Sequence, residues 1–122
     1  PLRGITAMTS GPDGLYLVQG PQRRVLVTDM NGLLRYTLGE GQLGQPGAIA
    51  VDEFGRVFVA DGGDGSVKVF QEGRLAYSSA GALPALRPSA LAVRGNILYA
   101  VNAGAPRVEM LRVMPPLPGG GR

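Results

Sequence analysis

The hydrophobic residues of this chain come in short runs, each ended by glycine, proline, asparagine or aspartate, and nowhere do they repeat at a helical period. That punctuation divides the chain into three units. In the first, about residues 1–45, Ile5–Met8, Leu15–Val18, Val25–Thr28 and Leu33–Leu38 predict four strands. Turns separate them at Gly11-Pro12-Asp13-Gly14, Gly20-Pro21-Gln22 and Met30-Asn31-Gly32, the last an Asn-Gly hairpin signal. In the second unit, about 46–87, the strands are Ala48–Val51, Arg56–Ala60, Ser66–Phe70 and Arg74–Tyr77. The third, about 88–114, supplies Ala90–Val93, Ile97–Val101 and Arg107–Val113 but no fourth strand. Residues 115–122 read as a Pro/Gly-rich tail or linker after the 1–114 segment.

The units are degraded copies of one another. Leu15–Gly20 echoes Val57–Gly62, and Pro88–Val93 echoes Pro46–Val51, both at an offset of 42 residues. A fixed period of this length signals supersecondary units that bury their faces against their neighbours. The second strand of each unit (Leu15–Val18, Val57–Ala60 and Leu98–Val101) is apolar without alternation, so both of its faces are expected to be covered. Small antiparallel sheets stacked around an axis satisfy that pattern. The expected fold is therefore all-β, a β-propeller of three four-stranded blades whose third lacks its outer strand. A β-trefoil of three forty-residue units is the alternative. The single up-and-down meander in each unit speaks against it, as does the absence of Trp and hence of the Gln-x-Trp pattern of lectin trefoils.

Composition narrows the chemistry. The 122 residues contain no cysteine and no histidine, which removes thiolate chemistry and the commonest general base and metal ligand. No run of 18 apolar residues is present to span a membrane as a helix. The formal charge is +3, and eleven of the twelve basic residues are arginine, Lys68 being the exception. Only Arg23 and Arg24 are adjacent, a spread that reads as scattered surface charge and not as the footprint of a nucleic-acid partner. The chain begins at Pro1, as expected of a processed, truncated or partial sequence.

Pro46–Asp61 followed by Val67-Lys68-Val69-Phe70 resembles an NHL repeat, and Gly39–Pro46 is similar to the glycine-rich connection that leads into the next NHL blade. The likeness runs over nearly all of the chain before the tail. The Asn-His pair that names the family is replaced by Gln22-Arg23, Asp64-Gly65 and Ala105-Pro106. The arginine that follows the pair is matched at Arg24 and Arg107, with Ser66 in unit two. The resemblance implies a closed ring, commonly of six blades, that binds proteins, RNA or small molecules on one face. Some relatives are lyases or lactonases. Lyases of this kind rely on histidine, and lactonases hold a divalent metal at the ring centre, where Asp52 has no repeated counterpart.

Three blades would be half of such a six-bladed ring and leave two blade faces bare, expected to carry sets such as Leu15/Leu17 and Leu98/Ala100. The missing outer strand also leaves an edge open to pairing. The chain is thus expected to need a second copy, another chain or further blades. The expected function is a non-catalytic protein-interaction or assembly module with no catalytic residues, no metal site and no cofactor. Part of a metal-dependent lactonase-like enzyme, or an RNA-binding module, are the alternatives. Asp61-Gly62-Gly63-Asp64-Gly65 reads as a strand-joining turn more than a calcium loop, and Asp52-Glu53 as turn and surface carboxylates. Ser78-Ser79 has no base partner and reads as loop, while Tyr16, Phe58 and Tyr99 recur at one blade position as core. Loops on one rim carry Gln22, Arg23, Arg24, Asp61, Asp64, Asn102 and Arg107, the candidate binding residues. Arginine over lysine and heavy glycine use suggest a bacterial protein of the cell envelope, periplasmic or secreted.

Overall fold

The computed structural model describes residues 3–80, 88–102 and 108–115. Eleven strands run through them: β1 Ile5–Gly11, β2 Gly14–Gln19, β3 Arg24–Thr28, β4 Leu34–Leu38, β5 Pro46–Val51, β6 Val57–Asp61, β7 Ser66–Gln71, β8 Arg74–Ser78, β9 Pro88–Arg94, β10 Ile97–Asn102 and β11 Val108–Arg112. They form two four-stranded sheets, β1-β2-β3-β4 and β5-β6-β7-β8, and a three-stranded sheet, β9-β10-β11. Every neighbouring pair is antiparallel and consecutive in sequence. Each unit is therefore one meander, and the trefoil alternative falls.

Turn chemistry sets the hairpins. Glu72 (φ 53°) and Gly73 (φ 79°) form the two-residue loop between β7 and β8, with the paired positive φ that matches strand twist. Gly14 (φ 135°) opens β2, where an added Cβ would lie 2.0 Å from the Thr28 carbonyl oxygen. Asp29 holds the turn to β4 by accepting the N–H groups of Asn31 and Leu33 on Oδ1, at 2.8 and 3.0 Å. Asp52 does the same for Phe54 and Arg56, at 3.0 and 2.8 Å.

The first strand of each sheet lies innermost, β1 against β5 and β5 against β9, so the sheets fan out around a common side. Tyr16, Val18, Val25, Val27 and Leu38 of the first sheet meet Ile49, Val57, Val59 and Phe70 of the second, with Leu43 from the connection, in one buried core. The second sheet's other face gives Phe58 and Val67 to a smaller core with Leu98, flanked by Leu91, Val93 and Leu111. The middle strand β6 is buried along its whole length, as its unbroken apolar run requires.

Several expectations need correction. Leu98 and Ala100 do not lie on a bare face; both are buried toward the second sheet, and the alternate residues Ile97, Tyr99 and Val101 take the open side. Tyr99 is accordingly only half-buried, unlike Tyr16 and Phe58. On the first sheet, Leu17 lies on the face away from the second sheet, yet it is buried. Asp52 is not a surface carboxylate. Its Oδ2 accepts Arg56 Nε at 2.7 Å with both side chains buried, and the guanidinium sits over the rings of Phe54 and Phe58 at 5.9 and 5.7 Å. Arg56 Nη1 also donates to the Met114 carbonyl and anchors the chain after β11. Ser79, likewise, is buried and pairs with Val67 through both its hydroxyl and its backbone N–H. Of the expected 115–122 tail, residues 116–122 lie outside the described residues.

Candidate binding rim

The loops β2–β3 and β6–β7 and the connections that enter β1 and β5 converge at one end of the stack. They border an open cleft of about 800 Å3 among the starts of the inner strands, lined by Thr6, Arg23, Gly44, Gln45, Gly63 and Ser89 among others. Much of its wall is backbone and small side chains. The Thr6 hydroxyl donates to the Val18 carbonyl and the Ser89 hydroxyl to the Val101 carbonyl, so both protons are spent on the second strands β2 and β10.

The last residue of each second strand carries an amide or carboxylate: Gln19, Asp61 and Asn102. Two of them visibly tie the entering connection to the sheet. Gln19 Nε2 donates to the Arg3 carbonyl at 2.7 Å, and its Oε1 accepts Arg24 Nε at 2.7 Å. Asp61 Oδ2 and Oδ1 accept the N–H groups of Gly44 and Gln45 at 2.9 and 2.8 Å, and Oδ1 also takes Gly63 N–H at 2.9 Å. The Lys68 ammonium completes the second clamp. It donates to Asp61 and Asp64 at 2.9 Å each and to Ser66 Oγ at 2.8 Å, which uses all three of its protons.

Burial alone would push the Asp61 carboxyl up, but three backbone N–H groups and the Lys68 ammonium outweigh it and hold it at about 2. Ser66 and Lys68 hold Asp64 below the usual carboxylate range. Lys68 is lowered by burial and raised further by its two carboxylates, so it stays charged. At the other end of the first sheet, burial raises the Tyr36 phenol to about 12 and lifts the Tyr16 phenol as well. Neither is a base at neutral pH.

Of the seven rim candidates, Gln22 and Arg23 stand exposed on the β2–β3 loop, Arg23 with φ 60°. Arg24 is half-buried and bridges Gln19 to Glu40, its Nη1 3.0 Å from Glu40 Oε2. Asp61, at 2% exposure, and Asp64 belong to the lysine clamp. Asn102 is half-buried, with its Oδ1 buried and unpartnered. Arg107 lies outside the described residues. Of the six described candidates, the cleft brings only Arg23 to its wall, beside backbone groups. Lys68 was the residue that sequence reasoning missed; its signal was a lone charge in an otherwise apolar strand, two residues past Ser66. Among the described residues no group of three acidic side chains could hold a metal ion.

Sheets of this form and order occur in solved structures. A chain of the nidogen/laminin complex superposes with a TM-score of 0.73 at 18% identity, over 88% of this chain and 42% of that one. The fold is that of a β-propeller. Virginiamycin B lyase from Staphylococcus aureus matches over 89% of this chain and 41% of that one, in a catalytically inactive form with quinupristin (TM-score 0.59, 11% identity). Its selenomethionine form matches over 90% and 41% (TM-score 0.57, 14% identity). The chain thus spans about two-fifths of the propellers it matches. No family model matches it, and no curated protein does.

Proposed function

We propose that this chain is a non-catalytic protein-interaction module of NHL-like blades that completes its fold against a second copy or another chain. The observation that carries the reading is the open face of the third sheet. Val101, Val108 and Met110 are 39%, 52% and 68% exposed there, beside half-buried Tyr99. In the second sheet the equivalent positions Ala60, Val67 and Val69 are packed on a neighbour, as the conserved strand order and register require. An apolar sheet face of this kind marks an interaction surface. The nidogen/laminin propeller, solved as a complex, supports the reading.

Arg24, Asp61, Asp64 and Lys68 near the rim are paired in structural clamps, and the chain lacks histidine and cysteine, which supports binding over catalysis. A second reading, part of a propeller enzyme, draws on the lyase likeness. Metal analysis and activity of the isolated chain separate the two. A bacterial cell-envelope setting goes with the interaction reading. Sedimentation analysis at micromolar concentration tests it. Self-association, or folding only with a partner, is expected; a folded 12.7 kDa monomer overturns it.

A further inference from the structure

The second and third sheets leave between them a groove of about 590 Å3, walled by Val67, Val69 and Tyr77 on one side and Leu98, Leu111 and Val113 on the other. It exists because the third sheet stops at β11, whose outer edge has no strand beside it among the described residues. The ladder to β10 shows which groups are free. Val113 N–H donates to the Asn96 carbonyl, and hydrogen-bonded pairs alternate, so Leu111 and Glu109 bond inward. Val108, Met110 and Arg112 direct their backbone N–H and C=O outward.

The two complete sheets record what fits such a place. Both outer strands contain Leu-x-Tyr: Leu34 and Tyr36 in β4, Leu75 and Tyr77 in β8. In each, the tyrosine opposes a valine (Val27, Val69), and a bulge then places the leucine opposite Thr28 or Phe70, on the other face. Tyr36 and Leu75 both pack on the first intersheet core. Among the described residues Tyr77 has no such leucine opposite it, and it is 51% exposed. The register of the third sheet places Met110 at the valine position and Leu111 at the Phe70 position. Arg112 then falls at the position of Gln71, which pairs with the residue before the leucine.

We infer that the β11 edge is a strand-acceptor site for an extended segment from outside these 122 residues, of the pattern acidic-Leu-x-Tyr, added antiparallel to β11. Its leucine enters the groove between Tyr77 and Leu111, its tyrosine lies over Met110, and its carboxylate faces exposed Arg112. The groove's other cation, Arg56, is already neutralised by Asp52, so the leucine site asks for no charge. The sequence from Met114 to Arg122 is unsuited to the role, since three of its nine residues are prolines and three are glycines, which cannot supply the ladder or fill the groove. The inference rests on the interaction reading above and names its partner's chemistry.

The test uses the full chain and a fluorescent peptide with the sequence of residues 73–80 carrying Arg74→Glu. Saturable micromolar binding by anisotropy is expected, with slowed amide exchange at Met110 and Arg112. A peptide with Leu75→Asp should bind at least about tenfold more weakly. In the protein, Met110→Pro removes an outward N–H while sparing the inward ladder, and Tyr77→Ser strips the groove wall; each should weaken binding by a similar factor. Circular dichroism checks that both variants fold, and Tyr77→Ser, at an exposed position, serves if Met110→Pro does not. No binding, or binding indifferent to Leu75→Asp and to Tyr77→Ser, overturns the proposal. Self-association lost on Met110→Pro assigns the edge to a second copy and overturns it too. A folded monomer that binds the peptide instead refutes the assembly reading and leaves this site standing.

Discussion

The two interfaces between sheets are built from equivalent positions and come out unequal. Between the first and second sheets, outer strands stand on both sides, and ten described side chains are buried in a continuous core. Between the second and third, no outer strand stands beside β11 among the described residues, three described side chains are buried, and a groove replaces the remainder. The paired tyrosines report the same contrast, Tyr36 packed and Tyr77 half in solvent. A propeller blade is stable to the extent that its outer strand brings apolar residues to the next blade; without it the inner strands still stack, but the outer half of the interface has no second wall.

Substitution in the complete interface should cost most. Phe70→Ala removes a ring from the first core and is expected to lose about 4 kcal/mol in urea unfolding. Leu111→Ala, on the groove, should lose well under half of that; equal losses would erase the distinction between the interfaces. The charged clamp on the second sheet is the next lever. Asp61→Asn leaves the Lys68 ammonium buried with one carboxylate and should cost about 3 kcal/mol. The double change Asp61→Gln with Lys68→Leu copies the first sheet, where Gln19 and Leu26 occupy these places, and should recover about 1 kcal/mol or more. A double variant no better than the single would show that the two sheets are not interchangeable.

Acid addresses the same clamp. The folded Asp61 carboxyl titrates at about 2, below its ordinary 3.8, so its contribution is complete above pH 4 and is lost as pH falls through that window. The loss should reach about 2 kcal/mol by the lower end of that window, and Asp61→Asn should flatten it. Smallest is the tyrosine pair. Tyr36→Ser should destabilise by about 1–2 kcal/mol, whereas Tyr77→Ser should stay within about 0.5 kcal/mol until the groove is filled. Differential scanning calorimetry reads both.

Much of this architecture was legible in the chain. Runs such as Leu15–Val18 and Val57–Ala60, bounded by Gly-rich turns, mark strands because alternation and β-branching survive without any knowledge of neighbours. The prolines after Val113 likewise signalled that no strand follows β11 directly, and none pairs with its outer edge among the described residues. The candidate site was less so. Asp61 and Asp64 look like solvated turn carboxylates until Lys68, seven residues past Asp61, is seen to reach both from the neighbouring strand. Asp52 and Arg56 pair across their own turn, but their order in sequence does not show that they are buried or that Arg56 reaches the Met114 carbonyl beyond β11.

Sequence alone determined the local layer: eleven strands, their turns, three repeated meanders and the absence of histidine and cysteine chemistry. These follow from backbone preference and residue type, which act within a few positions. The tertiary structure decided which side of each strand is covered. Leu98 and Tyr99 are neighbours with similar hydrophobicity, and nothing in their order says that the leucine is buried and the tyrosine left half-open. That choice depends on the direction in which one twisted sheet stacks on the next, a relation between residues some forty positions apart.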